Sequence, residues 1–556
     1  MVASRLDTAR RSIAQAISLW LQSHDLKVAQ DLVEVDVPSE QGHGDLTSSI
    51  CLKIAKNAKK APRILADEMA PELSFSLAGM VVQVEAAGPG FLNFTLATEW
   101  LAQLVNDIRA QGIHYGHSDW GHGRRVLLEF VSANPTGPLV IVSGRAAAVG
   151  DSLARILNAN GFVAEREFYV NNAGNQILKL GQAIFLRIRQ IQGLVVDPWP
   201  EGVYPGEYVI DVARRYLDAH PDFRVTEPAE AIFEDLGQFG ANYWREAQEG
   251  ILRDFGVEFE HWTYEKDLRE QKAPEAIIAR LEELGFVKDE ADAKWFVSTR
   301  FGDDKDRVLV KSDGSYTYFV PDAAYHAQKF ERGYDWVIDL LGPDHHGYVE
   351  RMKALVKALG FPADHLEIMI IQIVRLVRGN QIVRMSKRGG QFVTLEELIE
   401  EVGVDPARYF FLERAPNTPM DFDLGLAELK SNENPVYYIQ YAAARIHSVL
   451  RQWRQSHQDP FSWNPALLTE PLERRLLFVL ARYPDILRRS AEDLAPQYLP
   501  KYLTEVAAAF HAFYRQHRIL EENPAITMAR VVLSEATLWV IQSGLQLLGI
   551  SVPERM

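Results

Sequence analysis

Residues 125–170 constrain the fold of this 556-residue chain more than any other segment, because they follow the order strand, turn, helix, strand. Residues 125–131 are strongly apolar, 144–158 carry Ala, Leu and Ile at helical spacing, and 162–170 are again typical of a strand. Two strands joined by a helix form the first βαβ unit of a parallel nucleotide-binding sheet. The sequence therefore predicts an α/β fold of the Rossmann type.

Three regions are predicted along the chain. Residues 1–115 mix helical and strand-like runs, which indicates an N-terminal α+β module. Residues 116–405 are predicted to hold the parallel-sheet domain, with a charged helical segment inserted at about 185–295. Residues 406–556 show helical patterns only, which predicts an all-α bundle. Further strands of the sheet are expected at 308–311 or 316–320, at 336–341 and at 368–374.

Composition excludes several classes of protein. The sequence has no run of 18 or more apolar residues, which predicts no membrane span. Cys51 is the only cysteine, which excludes a disulfide framework and a cysteine-rich zinc site and favours the cytoplasm. The net charge of −16 argues against a general nucleic-acid-binding surface. Residues 431–556 are near neutral and rich in arginine, which suits a locally bound anionic partner and equally suits an ordinary solvated bundle.

Two segments carry candidate chemistry. Ser-Ala-Asn-Pro-Thr-Gly-Pro at 132–138 is a turn between a strand and a helix, where the helix N-terminus favours phosphate. Arg-Met-Ser-Lys-Arg-Gly-Gly at 384–390 can close over a triphosphate, and its lysine can stabilise charge on a pyrophosphate leaving group. Taken alone, the first is at least as well explained as a structural turn and the second as a solvated loop.

Together, the two segments resemble those of the class I aminoacyl-tRNA synthetases of the arginine type. Segments at 167–177, 316–326, 342–348, 421–423, 434–441 and 553–556 are similarly close, so the resemblance spans essentially the whole chain. It implies an N-terminal tRNA-binding module, a Rossmann catalytic domain and a helical anticodon-binding domain. The implied reaction is ATP-dependent activation of arginine and its transfer to tRNA(Arg), with tRNA typically needed for activation. The resemblance also implies a monomer that uses ATP with Mg²⁺ as substrate, with no tightly bound cofactor and no DNA or membrane partner.

The resemblance assigns site residues as well. Arginine recognition falls on Glu129, Ser132, Asn134, Tyr318 and Asp322, and a guanidinium needs such carboxylates in a planar arrangement. Without the family, Asp322 is also explained as a helix N-cap. The ATP-binding positions are Pro135, Thr136, Gly137, Gly144, Gly342, Asp344, His345, His346 and Met385. The catalytic positions are Arg384, Ser386 and Lys387, with Val140 and Ser143 at altered places, and no metal ligands are predicted.

The predicted tRNA-binding residues combine aromatic rings with arginine, which can stack on and hold unpaired bases. Most aromatic residues at helical spacing are simply core, and this alternative stays open for each of them. The predicted positions are Tyr437, Tyr441, Arg445, Tyr514 and Met556.

One family motif is altered. The family has His-x-Gly-His at 140–143, where its histidines contact the ATP phosphates, and here Val140, Ile141, Val142 and Ser143 occupy these places. Loss of one preorganised donor lowers the rate by roughly 10²–10³. Val142 also puts a branched side chain where glycine lets the adenine approach the backbone. The Val-Ile-Val run is strand-like, which is compatible with an extension of the first strand into the loop.

Three interpretations of this change remain open. The chain is an active synthetase with compensating donors such as His345, His346, Arg384 and Lys387, or it binds tRNA or arginine without activating the amino acid. Alternatively, the motif of a natural enzyme has been altered, by sequence error or by deliberate substitution. The intact basic loop argues against long drift without function. The predicted anticodon-type bundle disfavours an adenylyltransferase that lacks tRNA.

Overall fold

The N-terminal module packs helices against a small antiparallel sheet. The computed structural model describes residues 4–29, 32–38, 42–224, 228–379, 381–383, 393–456 and 463–556. The elements of the module are α1 (Arg5–Ser23), β1 (Leu46–Ser48), α2 (Ile50–Ala58), α3 (Pro62–Ser76), β2 (Val81–Ala87), β3 (Phe91–Leu96), α4 (Thr98–Ala102) and α5 (Leu104–Gln111). The strand order is β1-β3-β2. Leu6, Ile13 and Ile17 form the buried stripe that fixes α1 on the module core.

A five-stranded parallel sheet forms the centre of the chain. The first part contains β4 (Arg125–Glu129), α6 (Ile141–Ala159), β5 (Val163–Val170), α7 (Asn175–Ile191), α8 (Tyr208–Ala219), α9 (Glu230–Asp254), β6 (His261–Tyr264), α10 (Glu265–Glu270) and α11 (Ala273–Glu283). The second part contains β7 (Val287–Glu290), β8 (Ala293–Phe296), β9 (Arg307–Val310), α12 (Phe319–Glu331), β10 (Trp336–Leu341), α13 (Val349–Ala358) and β11 (Leu366–Ile370). The strand order is β11-β10-β4-β5-β6. The predicted unit β4-α6-β5 lies at its centre, as a Rossmann-type sheet requires.

The structure corrects three expectations about this sheet. The predicted strand at 308–311 is β9, which pairs with β8 in a separate antiparallel sheet. The alternative strand at 316–320 runs into α12 instead. The segment predicted as an insertion contains β6, which pairs with β5 and forms one edge of the parallel sheet. Its four residues are too few to give a periodic signal in the sequence.

The helix α6 begins earlier than its sequence indicated. Val140 is the extended N-cap residue and Ile141 is the first helical residue, so the altered motif opens the helix. The strand β4 ends at Glu129, and the Val-Ile-Val run therefore does not extend it. The intervening turn contains two prolines and a glycine, which prevent a continuous strand.

The remaining elements form a small mixed sheet and a helical bundle. They are β12 (Val374–Arg378), β13 (Gln381–Ile382), α14 (Leu395–Val402), α15 (Val404–Glu413), β14 (Met420–Asp423), α16 (Leu424–Glu428), α17 (Pro435–Ser456), α18 (Pro471–Ala481), α19 (Tyr483–Glu492), α20 (Tyr498–Gln516) and α21 (Pro524–Leu547). Because β14 pairs with β12, the region after 405 is not purely helical. Among the described helices, α21 is long and apolar enough to cross a membrane, but 72% of its most apolar 18-residue window is buried.

Buried or half-buried ion pairs join the parts of the chain. Arg10 of α1 donates to Asp485 of α19, and Arg474 of α18 donates to Asp45 of the N-terminal module. Arg408 of α15 is fully buried. It donates to Asp151 of α6 and, at 2.7 Å, to the carbonyl of Leu548 beyond α21. The bundle and the N-terminal module are thereby fixed to the elements that carry the parallel sheet.

Candidate functional site

Three acidic residues lie in one row across the middle of the parallel sheet. Asp339 of β10 is in register with Glu129 of β4, and Glu129 is in register with Glu167 of β5. Residues in register on neighbouring strands point to the same face of a sheet, about 4.8 Å apart. All three side chains are buried. We call them the acidic row, and three such carboxylates repel one another unless cations lie between them.

The helix α12 covers the acidic row with a polar stripe of Asp322, His326 and Lys329. These residues follow each other at i, i+4 and i+7, which places them on one helix face. Lys329 is fully buried and donates to Glu129 and, at 2.7 Å, to Asp339 Oδ1. His326 Nε2 lies 2.7 Å from Asp339 Oδ2, and its Nδ1 lies 2.8 Å from the Asp322 carbonyl oxygen. Both ring nitrogens of His326 thus face oxygen atoms, one of the helix backbone and one of Asp339.

These contacts shift the pKa values of the buried groups. Burial alone would raise the pKa of Asp339, but Lys329 and His326 outweigh it and hold that pKa at about 2. Burial alone would lower the pKa of Lys329, but Asp339, Glu129 and Glu167 raise it above its usual value. For Glu167, burial is outweighed first by the hydrogen bond from Arg332, so its pKa is lowered. Asp339 and Glu167 are therefore held in the ionised form by the cations beside them.

Asp322 is the exception in this cluster. Burial raises its pKa to about 6, against the lowering effects of His326 and of a hydrogen bond from the Tyr348 hydroxyl. Glu129 and Glu265 add to the rise because both are nearby carboxylates. Within the described residues, no lysine or arginine donates to the Asp322 carboxylate. Asp322 is therefore a carboxylate of this cluster that no described lysine or arginine neutralises.

The predicted turn contacts the acidic row at Glu129. Ser132 Oγ donates to Glu129 Oε1 at 2.8 Å and accepts the Tyr169 N–H at 3.1 Å. Val131 and Ser132 have φ angles of +68° and +38°, which are strained for residues with a side chain and are characteristic of functional sites. Glu129 and Ser132, two of the positions assigned to arginine recognition, are thus in direct contact.

The remainder of the turn is held by the helix α9. Gln248 donates to the carbonyls of Asn134 and Gly137, at 3.1 and 2.9 Å. Pro135 is buried, the Thr136 N–H donates to the Asn134 carbonyl, and the Asn134 side chain is exposed. The loop is therefore anchored through its backbone, which leaves the Asn134 amide free to meet a ligand.

The altered motif lines an apolar cavity of about 460 Å³. Its walls are formed by Val140, Ile141, Val142, Pro343, Ile373, Val374, Arg375, Leu376, Ile382, Val383 and Val393. No side chain caps the N-terminus of α6, and Val140 instead bridges Thr394. The cavity therefore combines an apolar lining suited to a heterocycle with the positive end of a 19-residue helix.

The other described positions predicted to bind ATP differ in what they pack against. Gly144 is packed against α14 and α15, where an added Cβ would lie 2.6 Å from Leu395 and 3.2 Å from Phe411. An added Cβ at Gly342 would lie 2.8 Å from Asp344 Oδ1. His345 lies edge-on to Tyr348, with ring centroids 5.7 Å apart, and close to Asp344. In the described part of the chain, no group of three or more potential ligands is placed to hold a metal ion.

Several predicted positions are not described. Arg384, Met385, Ser386 and Lys387, the core of the basic loop, lie outside the described residues, as does the side chain of His346.

The structure changes the interpretation of α12. Tyr318 is the N-cap residue and Asp322 lies in the first turn, so the interpretation of Asp322 as an N-cap is wrong. Tyr318 is 94% exposed and packs against none of the acidic row in this conformation. Lys329 and Glu265 were not among the site residues predicted from the sequence. The spacing of Asp322, His326 and Lys329 in an otherwise apolar helix was the available signal for Lys329.

Four of the five predicted tRNA-binding residues form one cluster on the bundle. The Arg445 guanidinium lies 4.5 Å from the ring centre of Tyr441 and 4.9 Å from that of Tyr514. Tyr437 is stacked with Tyr441, with centroids 6.3 Å apart. Met556 is 48% exposed at the C-terminus. The cluster exposes parts of several rings and one cation, as base stacking requires.

Comparison with known proteins indicates the family of the whole chain. Three family models match: the arginyl-tRNA synthetase N-terminal domain at residues 7–96, the class I (R) tRNA synthetase catalytic domain at 245–424, and the DALR anticodon-binding domain at 439–556. The arginine–tRNA ligase of Symbiobacterium thermophilum is 45% identical over 98% of both chains. That of Desulforamulus reducens is 42% identical over 99% of both. The chain belongs to the arginine–tRNA ligase family.

Solved structures agree with this assignment to the arginine–tRNA ligase family. A putative arginyl-tRNA synthetase from Campylobacter jejuni superposes with a TM-score of 0.76 at 30% identity, covering 83% of this chain and all of that one. The arginyl-tRNA synthetase of Thermus thermophilus, with the same TM-score at 21% identity, covers 99% and 100% and supports the fold alone. The predicted α/β fold and family are confirmed. The catalytic-domain match begins at 245, so the altered motif lies outside it.

Proposed function

We propose that this protein is an enzyme that attaches arginine to tRNA(Arg) through an arginyl-adenylate, at the expense of ATP. The observation that carries the proposal is the Asp322 carboxylate, which no described lysine or arginine neutralises and which lies near Glu129. We call Asp322 and the acidic row together the arginine pocket. Glu129 is the last residue of β4, at the carboxyl edge of the parallel sheet. Ligands bind at this edge in open α/β sheets. Relatives that cover nearly the whole chain favour this function over that of a binding protein without activation activity.

On the arginine side, Asp322 and Glu129 accept the N–H groups of the guanidinium. Charge-assisted bonds of this kind are about twice as strong as neutral ones, and they suit the planar fork of arginine. Ser132 keeps Glu129 in position through its 2.8 Å hydrogen bond. Because no described lysine or arginine pairs with Asp322, the guanidinium supplies the cation that this carboxylate lacks.

On the ATP side, the apolar cavity at Val140–Val142 accommodates the adenine, and the first N–H groups of α6 point toward the phosphates. Mg²⁺ that enters with ATP neutralises part of the phosphate charge. Val140 offers no donor, and Ser143 offers one hydroxyl. The remaining stabilisation of the leaving group falls to the basic loop, with Lys387 and Arg384.

On the tRNA side, Tyr441, Arg445 and Tyr514 hold unpaired bases of the anticodon, and the N-terminal module binds elsewhere on the tRNA. The proposal includes a monomeric, cytoplasmic enzyme. A rigid connection between the two tRNA-binding regions, supplied by Arg10 and Asp485, supports a single continuous binding surface.

The test is arginine-dependent ATP–pyrophosphate exchange in the presence of tRNA, compared with that of the triple variant Val140→His/Val142→Gly/Ser143→His. Exchange by the unmodified chain is the expected result. Exchange by the variant alone would mean that the rest of the site is intact and that the residues at the start of α6 prevent activation. Inactivity of both, with retained tRNA binding, would overturn the proposal in favour of a binding protein.

A further inference from the structure

We propose that Lys329, which touches no substrate, is the positioning residue that makes the pocket selective for a guanidinium. This inference rests on the proposed function, because it concerns how the same pocket recognises arginine. Lys329 holds the Glu129 carboxylate from the side opposite Ser132 and supplies the counter-charge between Glu129 and Asp339.

The contacts of Lys329 leave it no free donor. Its ammonium group donates to Glu129 and to Asp339 Oδ1, and lies 4.3 Å from the ring centre of Tyr325. The side chain is fully buried beneath α12. An ammonium group has three donor hydrogens, and these three neighbours use them. Lys329 therefore acts on a ligand through Glu129.

The charges around the pocket show why this lysine matters. The carboxylates are Asp322 on α12, Glu265 on α10, Glu129 on β4, Glu167 on β5 and Asp339 on β10. The cations paired with them are Lys329, Arg332 and Arg269, and the His326 ring also contacts Asp339.

Two of these cations are already committed to other partners. Arg332 is paired with Glu167, and Arg269 donates to Glu265 at 2.8 Å. Lys329 is thus the described cation in contact with Glu129.

The selectivity follows from this balance. With Lys329 present, Glu129 has a fixed orientation, and one further positive charge completes the pocket. Without it, Glu129 loses one of its two fixed donors, and Glu129 and Asp339 lose the cation between them. Burial then favours uptake of a proton by one of these carboxylates. A protonated Glu129 no longer attracts a guanidinium more strongly than a neutral group, so an uncharged analogue such as citrulline competes more effectively with arginine.

The experiment measures equilibrium binding of arginine and citrulline to the full chain by calorimetry, which does not depend on activation. For Lys329→Met, the Kd for arginine is expected to rise at least 30-fold and the preference for arginine over citrulline to fall at least tenfold. The matched control is Lys357→Met, an exposed lysine of α13, which is expected to change neither value. A folded Lys329→Met chain that keeps the preference within twofold would overturn the proposal.

A second variant separates positioning from charge balance. Lys329→Met/Asp339→Asn removes one cation and one anion together and leaves Glu129 with Ser132 as its remaining fixed donor. It is expected to melt closer to the unmodified chain than Lys329→Met does, while its arginine Kd stays raised at least tenfold. Normal arginine binding by this variant, or failure of both variants to fold, would overturn the proposal. If the unmodified chain does not bind arginine at all, the proposed function itself fails.

Discussion

Val140 forms an isolated antiparallel bridge with Thr394, the residue that caps the helix α14. The adjacent Leu139 carbonyl accepts the Leu395 N–H at 2.9 Å. The start of α6 is thereby tied through its backbone to the segment that follows the basic loop. Replacement of the family's histidines has changed the side chains that line the cavity, while backbone bonds hold the helix start in place.

The size of the cavity predicts the effect of a larger side chain at Val142. Val142→Phe is expected to raise the KM for ATP at least tenfold, because the ring fills space next to Pro343 and Leu376. Arginine affinity should stay within twofold. Val82→Phe, at a valine that is 63% exposed on β2, is the matched control. An unchanged KM for ATP would mean that the nucleotide lies elsewhere.

The raised pKa of Asp322 predicts pH-dependent binding of arginine. A carboxyl group with a pKa of about 6 gains a proton as the pH falls through that value, and it then cannot pair with a guanidinium. The Kd for arginine should therefore rise about tenfold per pH unit below pH 6 and level off above pH 7. Titration calorimetry from pH 5 to 8 measures this, and a flat profile would contradict the assignment of Asp322.

The raised pKa of Asp322 also predicts that this residue lowers the stability of the ligand-free chain while it supports arginine binding. Because the folded state raises the pKa of Asp322 above 3.8, its contribution to stability is present at low pH and is lost as the pH rises through about 6. Asp322→Asn should therefore stabilise the ligand-free chain by about 1–3 kcal/mol at pH 8, and hardly at all at pH 4. Thermal melts at both pH values test this, and arginine binding by the variant should weaken at least 30-fold.

The packing of Arg408 predicts that Gly549 cannot carry a side chain. A Cβ at Gly549 would lie 2.4 Å from the Arg408 guanidinium, and the φ of +66° adds strain. Gly549→Ala should lower the free energy of unfolding by at least about 2 kcal/mol. Gly250→Ala, in α9 with nothing within 4 Å, should instead raise it by about 0.5–1 kcal/mol. Equal melting temperatures for the two variants would contradict this account.

The cluster around Arg445 predicts a selective loss of tRNA affinity. Arg445→Ala removes the cation between Tyr441 and Tyr514, so tRNA binding should weaken by about 1–3 kcal/mol. Arginine binding should not change. Arg214→Ala, at an arginine whose side chain is 66% exposed on α8, serves as control. Filter binding across salt concentrations measures this effect. If both variants bind tRNA equally well, the cluster is not part of the tRNA-binding surface.

The sequence predicted the elements with a strong period and missed those defined by tertiary contacts. The unit β4-α6-β5 was evident because its apolar residues follow two clear periods. The short strand β6 gives no such signal, and only its pairing with β5 shows that it belongs to the sheet. Phe513, next to the predicted Tyr514, is fully buried, because the composition of a helix does not show which face is covered.

The site residues divide in the same way, into those that a sequence motif predicts and those that only tertiary contacts identify. Glu129, Ser132 and Asp322 were accessible through the motif that carries them, and the structure brings the first two into contact. Lys329 was not predicted, since a lone lysine in a helix is usually solvated. Its role depends on the register that aligns Asp339 with Glu129 across two strands distant in sequence.

That register has a consequence for how substrate preference can evolve. Shifting β4 by a single residue would turn Glu129 to the opposite face of the sheet and leave Lys329 facing an apolar side chain. The acid that we propose to contact the substrate is thus fixed by the pairing of the central strands. Changes in the surrounding loops, including those at 140–143, can alter nucleotide handling while the preference for a positively charged amino acid persists.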